Sequence, residues 1–291
     1  MKQLFIIILL TWVTTGMAQE ADVIKSDAIM QESVMQYRTA AELYEKAAHL
    51  YEANGQIDAF SFFKAGQNYV KVKSYAKALT MLEKAQANNY EEANLYAAMG
   101  DAQAGLKQFD KAEQTLLKGK KLFPDQQAEF TKKLGYLYFN SRQYDQAVEC
   151  LNAAIQVEPN NYTYHYLLGS SYERLKDYQL AATELEKVVA LHPNHKNSIK
   201  KLGVIYFKLT NHLYEKETKR YEALKSPTRM DYHNSTQKLE EIALDYKKSL
   251  PYLEKAHSFS PKDKAIIACL SVAYRRLKME EKAAQITPLL K

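Results

Sequence analysis

The side chains best suited to chemistry here are seven histidines, two cysteines and a scatter of paired carboxylates. His192 and His195 lie three residues apart around Pro193-Asn194. That spacing suits a metal only with a further Cys or carboxylate close by in the chain, and there is none, so both read as solvent-exposed loop histidines. Glu91-Glu92 and Glu240-Glu241 read as solvated surface. Asn161-Tyr162-Thr163 and Asn234-Ser235-Thr236 match the glycosylation sequon, which matters only in a eukaryotic secretory host. The chain has no Gly-rich phosphate loop, no G-x-S-x-G and no H-E-x-x-H. The expectation is a non-enzyme without catalytic residues, cofactor or metal, so function must come from surface shape.

The elements that build that surface are helices. Glycine (9) and proline (7) are scarce, and 25% of residues are charged. That composition favours helix and disfavours disorder. The 40 basic and 34 acidic residues give a net charge of +6 with no basic block. A clustered basic face is the footprint of a nucleic-acid binder, so no nucleic-acid partner is expected.

Periodicity is the strongest signal. Gly66, Gly100, Gly135, Gly169 and Gly203 recur every 34 or 35 residues, as do Ala78, Ala112, Ala147 and Ala181, and Pro124, Pro159 and Pro193. Tyr69, Tyr138, Tyr172 and Tyr206 follow four of the glycines by three residues, and Leu134, Leu168 and Leu202 precede three of them. A basic or polar stretch ending in an aromatic also repeats: Lys73-Ser74-Tyr75, Lys107-Gln108-Phe109, Arg142-Gln143-Tyr144 and Lys176-Asp177-Tyr178. The small residues mark where two helices approach closely, Tyr and Leu fill the space between them, and Pro ends a unit. This resembles the tetratricopeptide repeat (TPR), with its W-x2-L-G-x2-Y, A-x3-F and P pattern at a 34-residue period. The resemblance implies an all-α fold: a right-handed α-solenoid of stacked helix pairs, each burying its apolar face on its neighbours. Cys150 and Cys269 would then sit several repeats apart, too far for a disulfide, as buried small apolar residues. His165 takes the slot where the family carries a large side chain, which packing explains.

The register sets units near 59–92, 93–126, 128–161 and 162–195, an irregular fifth at 196–263, and a last at 264–291 with Ser271 in the glycine place. Residues 19–58 read as an N-terminal capping helix or the second half of a degenerate repeat, with helix over 28–54. In the fifth unit Tyr206 and Ser249, its counterpart of Ala181, are 43 residues apart where the fourth unit has nine, an excess of 34. One reading is a projecting helical hairpin with arms near 206–225 and 231–250 and a turn at Ser226-Pro227-Thr228. Its seam would hold Leu209, Leu213, Tyr221 and Leu224 against Leu239, Ile242, Tyr246 and Leu250. The other is a complete degenerate repeat, which puts Pro227 in phase but places Glu215 and Gln237 where small residues belong. The hairpin is favoured, and Pro251 predicts a bend in the returning helix.

Residues 1–18 read as a cleavable signal peptide: Lys2, an apolar run from Leu4 to Val13, and Gly16-Met17-Ala18 before Gln19. The run is too short to span a bilayer, so no stable membrane insertion is expected after cleavage. The expected location is periplasmic, extracellular or cell-surface, in a bacterium. The resemblance further implies a concave trough lined by the first helix of each pair. Its family positions fall here on Lys132, Tyr136, Phe139, Tyr166, Arg174, Lys200 and Phe207, among others. Aromatic anchors mixed with Lys and Arg suit an extended peptide bearing apolar and acidic groups. No unit carries the Lys–Asn pair by which TPR co-chaperones grip a terminal carboxylate. The expected function is an exported scaffold that binds a peptide or partner protein. The alternative is a carrier or chaperone-like module for a glycan, lipid or secreted polypeptide, motivated by the 22 tyrosines.

Overall fold

The computed structural model describes residues 19–290. The signal-peptide reading of residues 1–18 therefore lies outside the described residues. Among the described residues there is helix and no strand. They fall into two compact units that divide between Ser141 and Arg142.

The first unit holds α1 (residues 19–33), α2 (Tyr37–Ala53), α3 (Ala59–Lys71), α4 (Tyr75–Ala87), α5 (Ala93–Gly105), α6 (Phe109–Leu122) and α7 (Gln127–Asn140). Its core joins Tyr44, Phe62, Leu82 and Leu95, all fully buried. The helix expected over 28–54 is two helices. It breaks at Val34-Met35-Gln36, where Met35 adopts φ 61°. The Gln36 N–H then bonds back to the Gln31 carbonyl at 2.9 Å. The same closure recurs from Ser74 to Tyr69 and from Gln108 to Gln103, each at 2.9 Å, with Lys73 and Lys107 at φ 60°. This is the Schellman end of a helix, in which a left-handed residue lets the chain reverse and satisfies an orphan carbonyl. The N-terminal segment is thus a helix pair built like the regular repeats.

The second unit holds α8 (Tyr144–Val157), α9 (Tyr162–Arg174), α10 (Tyr178–Leu191), α11 (Lys196–Glu222), α12 (Arg229–Leu244), α13 (Tyr246–Phe259), α14 (Lys264–Arg276) and α15 (Glu280–Ile286). Leu185, Leu202 and Ile205 form one core cluster, and Leu253, Ile266 and Leu270 belong to a second. The last pair fits its serine by bonding it: Ser271 Oγ lies 2.8 Å from Thr287 Oγ1.

The irregular fifth unit is the hairpin. α11 is one helix of 27 residues, against 13 in α9 and α14, so it runs about 20 Å further at 1.5 Å per residue. A Cβ on Gly203 would meet Leu253 at 3.0 Å, as one on Gly169 would meet Leu185. The glycine and its leucine are 16 residues apart in the regular repeat and 50 here, so the excess chain leaves the pair's packing in register. The return is made by α12, whose Thr228–Asp231 capping box starts it cleanly. α12 and α13 are separated at Asp245, six residues before Pro251, and α13 continues through the proline. The expected apolar seam is corrected in its outer half. Leu213 is 46% exposed, while Glu217 is 3% exposed and bonded to Ser235 at 3.0 Å. Arg220 (2.6 Å) and Lys238 (3.2 Å) neutralise it. The arm is only two helices thick, yet these side chains cover the carboxylate and hold its pKa at about 2; the hydrogen bond from Arg220 is the largest cause.

Candidate interaction surface

Within each unit the pairs present their first helices to a shared face, and four of the first helices clasp the second helix before them with a tyrosine. The hydroxyls of Tyr69, Tyr138, Tyr206 and Tyr274 donate to Glu45, Glu113, Glu186 and Glu254 on the preceding second helix. These clasps fix the spacing of the first helices and so the geometry of the face they share.

In the first unit α3, α5 and α7 form that face. Gln67, Val70, Asn94, Ala97 and Lys133 line a groove of about 260 Å3. Asp101 pairs with Lys133 at 2.7 Å across α5 and α7. The walls of the groove crowd its carboxyl and raise its pKa, with Lys133 opposing, although the side chain keeps 40% of its accessible surface toward the open side. Tyr136 is exposed and lines an adjoining cleft with Asn140 and Tyr75. Lys132 pairs with Glu129 on its own helix at 2.9 Å. Phe139 is half-buried.

In the second unit α9, α11 and α14 form the equivalent face. Tyr166, Asn197, Lys200 and Val204 line a groove of about 380 Å3. Here too the cations are partly spent on the protein. Lys200 pairs with Asp263, the cap of α14, and Lys201 with Glu173 on α9. Arg174 is exposed and makes no ion pair among the described residues. Phe207 is half-buried and packs on Tyr246, with ring centroids 5.5 Å apart. Its neighbours in the core belong to α13 and α14. Tyr166 and Lys200 thus share a groove, Arg174 stands at the exposed end of α9, and Phe207 is taken up by packing.

Two features escaped the sequence. His195 is no simple loop histidine: it caps α11, and its ring lies 5.0 Å from that of Tyr166. At the base of the hairpin, Arg276 lies over the Tyr214 ring at 3.9 Å and donates to its hydroxyl at 2.8 Å. A single His or Tyr outside the repeat pattern carries no periodic signal. Cys150 and Cys269 form no disulfide; Cys269 is buried as expected, which pushes its thiol up to about 11, whereas Cys150 is only half-buried on α8, a correction to the expectation that both are buried. No helix among the described residues is long and apolar enough to cross a membrane.

Stacked helix pairs with a repeated first-helix face define an all-α helical-repeat solenoid. The chain carries tetratricopeptide repeats: the family's model matches residues 63–126 and 132–196. It is similar to YrrB, described as a TPR protein with an unusual peptide-binding site (TM-score 0.50, 24% identity, 60% of this chain and 88% of that one). It is also similar to a mutant of MamA (TM-score 0.53, 17% identity, 70% of this chain and 92% of that one). Both likenesses are of fold. Anaphase-promoting complex subunit 3 of Schizosaccharomyces pombe is 26% identical over 143 residues, 49% of this chain but 16% of that protein. RNA polymerase II-associated protein 3 of Xenopus tropicalis is 32% identical over 72 residues, 25% of this chain and 11% of that protein. The matched stretches therefore span a small part of these relatives. As a TPR protein the chain is a scaffold for protein–protein interaction.

Proposed function

We propose that this scaffold is exported to the cell envelope and holds an extended peptide, or an extended segment of a partner protein, along the α9–α11–α14 face. It acts by binding and performs no catalysis of its own. The observation that carries the reading is the groove where Tyr166, Asn197 and Val204 offer an aromatic, an amide and an apolar contact, with the unpaired Arg174 on the same helix as Tyr166. Such a strip suits a chain with an apolar anchor and a carboxylate. Export is supported by the pattern of residues 1–18: one cation, a ten-residue apolar run and small residues before Gln19.

Two measurements test it. An array of acidic and basic peptides should show binding to acidic members that Tyr166→Ala and Arg174→Glu each weaken by about tenfold (about 1.4 kcal/mol), with the exposed Arg174→Glu leaving the melting temperature unchanged and Tyr166→Ala still folded by circular dichroism. Binding indifferent to both changes, or seen only on a glycan array, overturns the site. Fractionation and N-terminal sequencing of the native protein should give an envelope species beginning at Gln19; an intact cytoplasmic species overturns export.

A further inference from the structure

The fourth repeat carries a histidine at each of its two junctions, His165 toward the α8–α9 loop and His195 at the start of α11, and their hydrogen bonds demand opposite protonation states. His165, on α9, is 3% exposed. Its Nδ1 lies 2.7 Å from Glu184 Oε2 on α10, and its Nε2 lies 2.8 Å from the Pro159 carbonyl in the α8–α9 loop. Both partners are acceptors only, so both bonds form only when both ring nitrogens carry hydrogen. The cation is compensated by Glu184, which Lys187 also touches at 2.9 Å.

His195 requires the reverse. It caps the N-terminus of α11, where its Nδ1 accepts from the Ser198 N–H at 3.3 Å and lies 2.7 Å from Ser198 Oγ. A proton on Nδ1 abolishes that cap and places a cation at the positive end of a helix. The groups facing it offer no anion. Tyr162 and Tyr166 of α9 stand at 5.7 and 5.0 Å, and His192 stands at 5.8 Å. On the α13 side, Lys255 donates to the Pro193 carbonyl of the same loop at 2.8 Å. Burial and the neighbouring His192 lower its pKa.

We propose that the fourth repeat is a pH-sensitive joint, in order at its two ends only while His165 is charged and His195 is neutral, and that order at the His195 end sets the shape of the α9–α11 groove. The His195 end of the joint reaches the groove, since Tyr166 packs on His195 and Asn197 lies in the turn that His195 caps. Acid releases the α11 cap; a His165 ring lacking its second hydrogen would turn a lone pair toward an acceptor, Glu184 or the Pro159 carbonyl. The lowered pKa fixes one sign. Stability from neutral His195 is present above the unfolded value near 6.5 and is lost as pH falls through the folded value. Control over binding rests on the groove reading above; the protonation states do not.

Long-range nitrogen–proton spectra of the imidazoles in the full chain test it, with His165→Gln and His195→Asn identifying the signals. At pH 7 His165 should show two protonated nitrogens, and His195 an unprotonated Nδ1. Hydrogen exchange, corrected for its intrinsic pH dependence, should show the first turn of α11 opening about fivefold more readily at pH 5 than at pH 7.5. That difference should vanish in His195→Asn, because asparagine caps without titrating. A neutral His165 at pH 7, a His195 carrying its proton on Nδ1, or a pH response unchanged in His195→Asn overturns the joint. If His165→Gln does not fold, the wild-type spectra still decide, because the doubly protonated ring is recognisable without the variant. If the spectra agree but acidic peptides fail to bind at any pH, the groove reading falls and the joint stands.

Discussion

Gly119 of α6 lies outside the glycine register, and its replacement tests how the stack is packed. A Cβ built there would lie 2.4 Å from Phe130 Cε1, 2.5 Å from Phe130 Cζ and 2.8 Å from Tyr96 Cβ. Both neighbours are 1% exposed. Tyr96 Cβ is fixed by the α5 backbone and the Phe130 ring is enclosed, so neither can yield cheaply. Forcing a methyl into a filled core costs about 1–3 kcal/mol, and contacts this short put it at the upper end, about 2–3 kcal/mol, offset by about 1 kcal/mol of better helix propensity. Gly119→Ala should therefore lose about 1–2 kcal/mol, a fall of roughly 3–6 °C in melting temperature for a chain of this size. Gly169→Ala is the control. Its nearest contact is 3.0 Å, to Leu185 Cγ; a shift of a few tenths of an ångström accommodates it, and the propensity gain leaves stability near wild type. Thermal and urea unfolding by circular dichroism measure both. Equal stability for the two variants, or a more stable Gly119→Ala, would refute the claim that this contact is already full.

The tyrosine clasps predict alkaline lability. Burial, then the carboxylate partner, raises the pKa of Tyr69, Tyr206 and Tyr274 above the ordinary value near 10. Their contribution is complete below pH 10 and is lost as pH climbs beyond it. Urea midpoints between pH 9 and 11.5 should fall more steeply for wild type than for the triple Tyr→Phe variant, and parallel curves would count against the clasps. In the hairpin, the lowered Glu217 pKa gives the arm stability that is present above about pH 4.5 and lost as pH falls toward 2. Glu217→Gln leaves Arg220 and Lys238 without their carboxylate, so exchange over residues 215–238 should rise on the order of tenfold at pH 7, while the cores of both units stay protected.

Much of this fold was legible because the repeat constrains spacing rather than identity. Gly66, Gly100, Gly169 and Gly203 each sit against a leucine of the second helix, as a register built on close approach requires. The break at Met35 was not legible. Lys73, Lys107, Arg142 and Lys176 take the left-handed turn ahead of an aromatic-led helix, and Met35 precedes one too, at Tyr37, but puts an apolar side chain where those turns carry a cation. The polar seam was hidden for a related reason: Glu217 on a helix face reads as solvated unless its partners on the returning arm are known. On the groove, family positions located the helix faces. They could not reveal that Asp263 and Glu173 take up Lys200 and Lys201, or that Phe207 lies on the part of α11 covered by α13 and α14. Those outcomes depend on neighbours distant in the chain.

The hairpin also bears on how this protein could change by insertion. Its repeat closes on Gly203 and Leu253 with 34 residues of extra chain between them, and Leu253 remains fully buried. The two helices of a pair are thus held by the surface they share, and the turn joining them contributes little to their alignment. Each left-handed turn is therefore a permissive point. A segment grafted at Lys73 or Lys176 should leave its helix pair assembled if its two ends emerge close together, because closing a longer loop costs only about 0.6 kcal/mol per doubling. The stack can gain new arms without redesign of its core, and the existing arm stands as one such addition.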